Sequence, residues 1–467
     1  MADATTQAKT RRRGGRWRNW SGSVSCAPRE VIAPRSVDEL ARAVGAVGRA
    51  GRRLRVAGSG HSFTPLVQTD DALLRMDHLS GITSFDAERG LVTVLGGTPL
   101  KLLGDALLER GVAQENLGDI DVQTITGAIS TGTHGTGVRF GNLATQVAAL
   151  TLVTAAGETL ELSPARDPET FKAAQVSLGA LGVLASVTLR VVPAKRLRYQ
   201  TRRERIESLI EHLEQYKAEN SHFEFFWFPY TQWAQAKFTN ETDAQPASAN
   251  LWTEFNRVVL ENGVFWAFSE ASRLAPALSP AICKASAWGI ASTTAVDYSH
   301  RLYATPREVR FQEMEYNLPA QHFAAAMAEI EQVISRERFA VNFPVECRFV
   351  KGDDIWLSPA YQRDSAYIAV HMYQGMPYRA YFDAIEAIFQ RYEGRPHWGK
   401  MHTLTAVTLA TRYPRWNDFL RVRAALDPHG VFLNDYLRRL LGVGDVATAA
   451  SQASGQASAV DGATGAP

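Results

Sequence analysis

The stretch from Ser36 to Ser62, SVDELARAVGAVGRAGRRLRVAGSGHS, constrains this chain most, because it fixes the order of its elements. Ser36 followed three residues on by Glu39 is a capping box, and Gly51 supplies a stop, so a helix is predicted between them. The strand LRVA comes next, and the glycines come only after that strand. A Rossmann fingerprint needs a helix to open inside the glycine motif so that its N-terminus meets the pyrophosphate. Here Pro65 follows with no helical period, and Phe63 stands where the third glycine belongs. Nicotinamide-dinucleotide binding is therefore disfavoured. A structural turn is the plain reading of GSGHS; a phosphate cradle and histidine chemistry are the two alternatives. Glycines allow close approach of a backbone to a diphosphate, and a neutral imidazole is a competent nucleophile near pH 7.

Strand patterns follow in GLVTVLGG, ALTLVTAAGETLELS with its turn at Ala156-Gly157, and GVLASVTLRVVP, separated by helical patterns in PLKLLGDALLERG and PETFKAAQVSL. Between them lies QTITGAISTGTHGTG, rich in glycine and threonine. The first ~190 residues predict an α+β domain with one extensive mixed sheet. After Pro193 the texture changes. Aromatic strands such as HFEFFWFPY alternate with long helices such as PAQHFAAAMAEIEQVISR, and FPVECRFV and YIAVHMY follow, which predicts a second α+β domain. The C-terminal WNDFLRVRAALDPHGVFLNDYLRRLLG reads as helix, turn, helix.

Length agrees with two domains, since 467 residues exceed what one compact core organises. Fifty basic against 48 acidic residues leave a net charge of +2, which gives no reason to expect nucleic acid. Cys26, Cys283 and Cys347 are odd in number and widely spaced, which suits a reducing compartment and makes neither a disulfide framework nor a metal cluster. The basic residues 1–18 lack the apolar run of a secretion signal and read as a solvated, disordered tail. Residues 445–467 are Ala/Ser/Gly-rich and read as a second one. The most apolar segment is GVFWAFSEASRLAPALSPAICKASAWGIAS. Its Glu270, Arg273 and prolines argue against a membrane span and leave an interfacial helix, hence peripheral membrane association, as the open alternative to a cytoplasmic protein.

Taken in order, GSGHS, NLGDIDVQTITGAISTGTHGTG, LGALGVL, FPVECRFVKGDDIWLSPAYQRDS, RPHWGK and LDPHGVFLN resemble the covalent-flavin oxidases of the vanillyl-alcohol oxidase superfamily. The similarity is greatest to the sugar-1,4-lactone oxidases, with alditol oxidases as near neighbours, and runs from Asn19 to Leu441. The resemblance implies a PCMH-type FAD-binding domain over 19–193, a substrate-binding cap over 194–401 and a segment over 402–444 returning to the flavin domain. It implies FAD wrapped by Val56, Ala57, Gly58, Ser59, Gly60, His61 and Ser62, with His61 bonded covalently to the isoalloxazine 8α carbon. Further flavin contacts carry over to Asp119, Thr124, Gly127, Thr131, Gly132, Thr133, His134 and Val183. Asp119 stands where a small neutral residue is common in relatives. Gly118 matches a position where a small residue leaves oxygen a path to the flavin and alanine closes it, so it points to an oxidase over a dehydrogenase.

Alcohol oxidation needs the hydroxyl proton removed, a hydride passed to flavin N5, and cations near the ring that becomes negative. In FPVECRFV, period two puts Glu346 and Arg348 on one strand face, where a surface ion pair would look identical. The resemblance makes Glu346 the group that binds substrate hydroxyls and is the candidate proton acceptor, and makes Arg348 the stabiliser of the developing alkoxide. His371 and Tyr373 alternate in HMY as candidates for the same wall. Lys400 of HWGK is implied to face the flavin and the substrate oxygen. A unit charge ~4 Å from the reduced ring at a dielectric of ~20 is worth about 4 kcal/mol. His397 and His402, flanking Lys400, read as core or supporting histidines.

The resemblance implies oxidation at C2 of an L-gulono-, L-galactono- or D-arabinono-1,4-lactone, with O2 as acceptor, H2O2 as co-product and an ascorbate-type product. KGDDI followed by LSPAYQRDS leans to lactones over open-chain alditols such as xylitol. Two readings compete: a dehydrogenase with another acceptor, and a binder that has lost catalysis. The joint presence of His61, Glu346, Arg348 and Lys400 argues against the second.

Overall fold

The computed structural model describes residues 11–13, 15–246, 262–304 and 309–444. The C-terminal tail from 445 onward lies outside the described residues.

The helix Val37–Arg49 forms as its sequence predicts. The Ser36 hydroxyl accepts from Glu39 N–H at 3.1 Å, and Gly51 adopts φ +62° just past the end. Glu39 reaches back to Arg35 N–H at 2.8 Å, one residue earlier than a standard capping box. Its buried face, Leu40, Val44, Gly45 and Val47, lies on a strand hairpin so closely that a Cβ on Gly48 would fall 2.2 Å from Ala155 O.

Among the described residues the first domain holds two large sheets and two short two-stranded ones, where the sequence predicted one. Leu54–Ala57, Ala72–Arg75 and Glu30–Ile32 pair in parallel, whereas Leu91–Leu95, Val183–Arg190, Val147–Val153 and their neighbours form an antiparallel sheet of five strands. The break falls between Arg75 and Ile82. There Leu79 N–H closes a turn on Met76 O, and Gly81 at φ +115° redirects the chain away from the parallel sheet. The basic N-terminus differs too. Arg11–Arg13 pairs antiparallel with Glu30–Ile32, and Trp17–Arg18 pairs with Ser25–Cys26. An open sheet edge offers unpaired backbone groups, and residues 11–13 fill it where a solvated tail was expected; residues 1–10 of that tail lie outside the described residues.

The second domain is one antiparallel sheet of eight strands, ordered Thr293–Tyr298, Arg196–Arg205, Trp233–Glu241, His222–Trp227, Val345–Val350, Ser365–Tyr373, Phe311–Pro319 and Arg395–Pro396. Alternate residues Phe223, Phe225, Cys347, Phe349, Ile368 and Val370 make an apolar face. Helices Phe323–Glu337 and Arg379–Arg391 cover that face, with Phe323 edge-on to Phe349 and Phe389 stacked on Tyr316. The central strands are buried on their other face as well, because the first domain closes over it: Gly137 N–H donates to Phe349 O and Lys351 N–H to Phe140 O.

The C-terminal helices Trp416–Leu426 and Asp435–Leu441 flank a turn that runs back along the first domain. Leu54 N–H donates to Val431 O, and Asn434 Nδ2 reaches Pro65 O and Gln68 O. Two helices, Asn262–Leu274 and Ser279–Trp288, occupy the apolar segment; among the described residues no helix is long and apolar enough to cross a membrane.

Candidate active site

A trench opens at the end of the Leu54–Ala57 strand. Its lining includes Val56 to Ser62, Thr124, Gly127, Thr131 and Val183, so the structure brings most of the sequence-predicted cofactor residues together. Thr124 caps the helix Ile125–Ser130, its hydroxyl accepting from Gly127 N–H. Gly58 packs on that cap, and a Cβ there would lie 2.6 Å from Thr124 Oγ1. Asn19 Nδ2 donates to Ser62 O and Trp20 N–H to Gly60 O, which holds the loop open. Among the described residues, the N–H groups of Ser59, Gly60, His61 and Ser62 meet no protein acceptor, and Gln123 Oε1 in the trench wall is buried without a partner. An uncharged, glycine-lined groove with free donors suits a dinucleotide pyrophosphate.

His61 stands at the inner end of the trench, stacked on Trp20 at 5.4 Å. Burial, and then the charge of Lys400, press its pKa down to about 4 against the pull of Glu313, so the ring is neutral at physiological pH. The loop is tied to the Lys400 turn: Phe63 N–H donates to Gly399 O at 2.7 Å and Thr64 Oγ1 to Trp398 O at 3.1 Å.

Beyond His61 the trench meets the polar face of the eight-stranded sheet. Register builds this face in rows. Lys237, Glu224, Arg348 and Tyr367 lie directly across from one another; so do Phe226, Glu346, Ala369 and Glu315; so do His371 and Glu313. Directly opposed residues share a face, so these side chains converge. Arg348 bonds Glu224 at 2.8 Å, Asp119 of the first domain at 3.0 Å, and Glu346. His371 Nε2 lies 3.5 Å from Glu313 and 3.9 Å from Glu346, and Lys400 Nζ lies 2.5 Å from Glu313. Burial alone would lower the pKa of Arg348, but Asp119, Glu346 and Glu224 outweigh it and raise it. Burial likewise favours the neutral acid at Glu313, yet Lys400 and His371 pull its pKa down to about 2.

Other predicted residues fall elsewhere. Gly132, Thr133 and His134 do not line the trench. The His134 ring stacks on Tyr367 at 3.6 Å and gives Nε2 to Glu315 at 3.1 Å, because the backbone after Gly132 (φ +73°) turns toward the sheet. Gly118 and Asp119 line a separate cleft beside Arg348, with Glu224 and Lys237. Tyr373 is spent on Glu270, its hydroxyl donating at 2.6 Å to the helix Asn262–Leu274, so it stands apart from the charged rows. His402 sits in the core against Trp398 and Tyr436. His397 joins His134 around Glu315; its Nδ1 accepts from Gly399 N–H, and burial brings its pKa to about 3.

The sequence reading missed Glu224, Lys237, Glu313 and Glu315. The signal for the last two was present in FQEMEYNLP, where Glu313 and Glu315 repeat the period-two spacing of Glu346 and Arg348 on a fully buried strand.

A glycine-lined dinucleotide trench abutting a buried, charged sheet face defines a flavin-dependent oxidoreductase of the vanillyl-alcohol oxidase type. Residues 28–163 match the FAD binding domain family, and residues 187–440 match the D-arabinono-1,4-lactone oxidase family. L-gulono-1,4-lactone dehydrogenase of Mycobacterium tuberculosis is 43% identical over 91% of this chain and 99% of its own length. L-gulonolactone oxidase of Bos taurus is 33% identical over 92% and 98%, and alditol oxidase of a Streptomyces species 30% identical over 91% and 98%. Cholesterol oxidase from B. sterolicum superposes with a TM-score of 0.79 at 20% identity, covering 92% of this chain and 97% of that one, which speaks to the fold alone. The chain belongs to the aldonolactone oxidase/dehydrogenase family of FAD-binding oxidoreductases.

Proposed function

We propose that this protein oxidises the C2 alcohol of a sugar 1,4-lactone such as L-gulono-, L-galactono- or D-arabinono-1,4-lactone, with FAD bonded to His61 and O2 as acceptor. The observation that carries the reading is the convergence of Glu346, Arg348 and His371 on one buried sheet face at the inner end of the His61 trench. Bound FAD supplies the hydride acceptor. Val56 to Ser62 would hold its diphosphate, and neutral His61 would present a nucleophilic nitrogen for the tether.

Glu346 holds the reacting hydroxyl and accepts its proton at a carboxylate oxygen. Arg348 is fixed beside it by Glu224 and Asp119 before substrate arrives, and would donate an N–H hydrogen bond to the substrate oxygen without reorganising. Ala369, opposed to both Glu346 and Glu315, keeps the centre of the face free of a long side chain. Closure of the two domains over this face excludes water and strengthens each of these contacts.

Two measurements test the reading. Acid precipitation should leave the yellow colour in the pellet, with a flavin-modified tryptic peptide containing His61. Peroxide should form with L-gulono-1,4-lactone and much more slowly with xylitol. Unmodified His61 in protein saturated with flavin refutes the tether, and preference for xylitol refutes the substrate class. A second reading, a lactone dehydrogenase, is favoured by the name of the 43%-identical mycobacterial relative. Gly118 favours the oxidase, and comparing oxygen with an artificial acceptor under anaerobic conditions separates the two.

A further inference from the structure

Lys400 is half of an ion pair. Its ammonium lies 2.5 Å from Glu313, which is 6% exposed. The Lys400 turn hangs on the same strand as its partner: His397 N–H donates to Glu315 O and Met401 N–H to Glu313 O, both at 3.0 Å. The remaining Glu313 oxygen faces His371, and Glu315 adds a second buried carboxylate one strand period away. On the other side the turn leans on the cofactor loop, where a Cβ on Gly399 would lie 3.3 Å from Ser62 Oγ, and Lys400 Nζ sits over the Phe63 ring. The Lys400 cation therefore reaches the loop already neutralised. A close neutral pair gives a ring several ångströms away a dipole's field, far weaker than the field of a bare unit charge.

We propose that Glu313 is a positioning residue that fixes Lys400 beside the flavin and, by cancelling its charge, sets the flavin reduction potential low. The proposal rests on the flavin reading above and concerns how strongly this chain's residues favour the reduced, negative ring.

The test is the midpoint potential of the flavin-loaded protein, measured by dye equilibration without substrate. Glu313→Gln, which frees the ammonium, should shift the two-electron equilibrium toward reduced flavin at least ~10-fold, about 30 mV upward. Lys400→Gln, which strands the carboxylate, should shift it downward by a similar factor. The double variant Glu313→Gln/Lys400→Gln removes the pair as a neutral unit, leaves no lone buried charge to unfold the protein, and should stay within ~3-fold of wild type. A potential unchanged or lowered in Glu313→Gln overturns the proposal, as does a double variant that matches Lys400→Gln. Protein that remains colourless after saturation with FAD overturns the flavin reading and this proposal with it. Coloured protein with an unmoved potential overturns this proposal alone.

Discussion

Gly118 has an ordinary backbone conformation, so its meaning lies in space. A Cβ there would stand 3.2 Å from His134 O and 3.3 Å from Thr133 Cγ2, tighter than relaxed contact yet short of a clash. Alanine should therefore fold at this position while filling the edge of the cleft beside Arg348. For Gly118→Ala we expect reoxidation of the reduced protein by oxygen to slow by about ten-fold, with anaerobic reduction by lactone changed less than about three-fold. Stopped-flow measurement of the two half-reactions checks this, and equal slowing of both would show that the methyl group disturbs the site as a whole. Arg348 makes the complementary case. Its three carboxylate partners come from two strands and from the first domain, so Arg348→Met takes the guanidinium from buried Glu346 and half-buried Asp119, while Glu224 keeps Lys237 at 3.3 Å. Loss of such a partner costs about 3–5 kcal/mol, and the variant should show a urea midpoint well below wild type as well as no turnover.

At the scale of elements, Arg55 knots three segments together. Its guanidinium donates to Leu66 O, Leu178 O, Gly179 O and Phe432 O, and so joins the cofactor loop, the segment before Val183 and the returning C-terminus. Burial drags its pKa down to about 10 with Asp427 opposing, which leaves it charged at neutral pH. Arg55→Met removes every one of those donors, and stranded buried acceptors cost about 1–3 kcal/mol each. We expect at least 3 kcal/mol lost in urea unfolding and the visible flavin spectrum to change, as the ring becomes exposed to water, before the cap sheet melts; a flavin spectrum that holds through the transition would contradict the knot. Nothing in LRVA announced this role. A lone arginine in a short strand is read as half-exposed, and three of its four partners lie 123 or more residues away in the chain. What sequence did reveal was local. Ser36 and Gly51 bounded a helix because capping acts within four residues, and Glu346 and Arg348 shared a face because strand period is two. The split into two sheets was hidden because it depends on which strands pair. Asp119 and Arg348 were each singled out, but their meeting across the domain boundary is a property of the closed molecule. Tyr373 was misplaced for a similar reason: its period put it on the right face, and only the neighbouring helix decided that its hydroxyl goes to Glu270.

For the whole molecule, the buried imidazoles dominate the response to acid. Burial drives the pKa values of His222 and His402 to about 4 and that of His397 to about 3, against 6.5 for an exposed imidazole. Because the unfolded chain binds these protons first, stability is complete above pH 6.5 and is lost as pH falls toward 4. At pH 5 each such histidine costs about 2 kcal/mol. Asp353 works the other way. Its pKa is raised to about 6 by burial against the help of Ser358 and Ile355, so the folded form gains by taking a proton between pH 6 and 4, worth about 1 kcal/mol at pH 5. Glu313 loses its advantage as pH falls from about 4.5 toward 2 and so stays below this window. With His61 set aside because its ring carries the flavin in the proposed tether, three histidines outweigh one aspartate. The apparent Tm should fall by roughly 5 °C between pH 7.5 and pH 5, a small shift for several kcal/mol because a chain of this length unfolds with a large entropy. His402 lies outside the charged rows, so His402→Gln should remove about a third of the histidine effect and shrink the drop accordingly. Calorimetry at the two pH values checks both. A Tm flat across the window would mean that these rings are protonated in the folded state, and an undiminished drop in His402→Gln would assign the acid sensitivity to other groups.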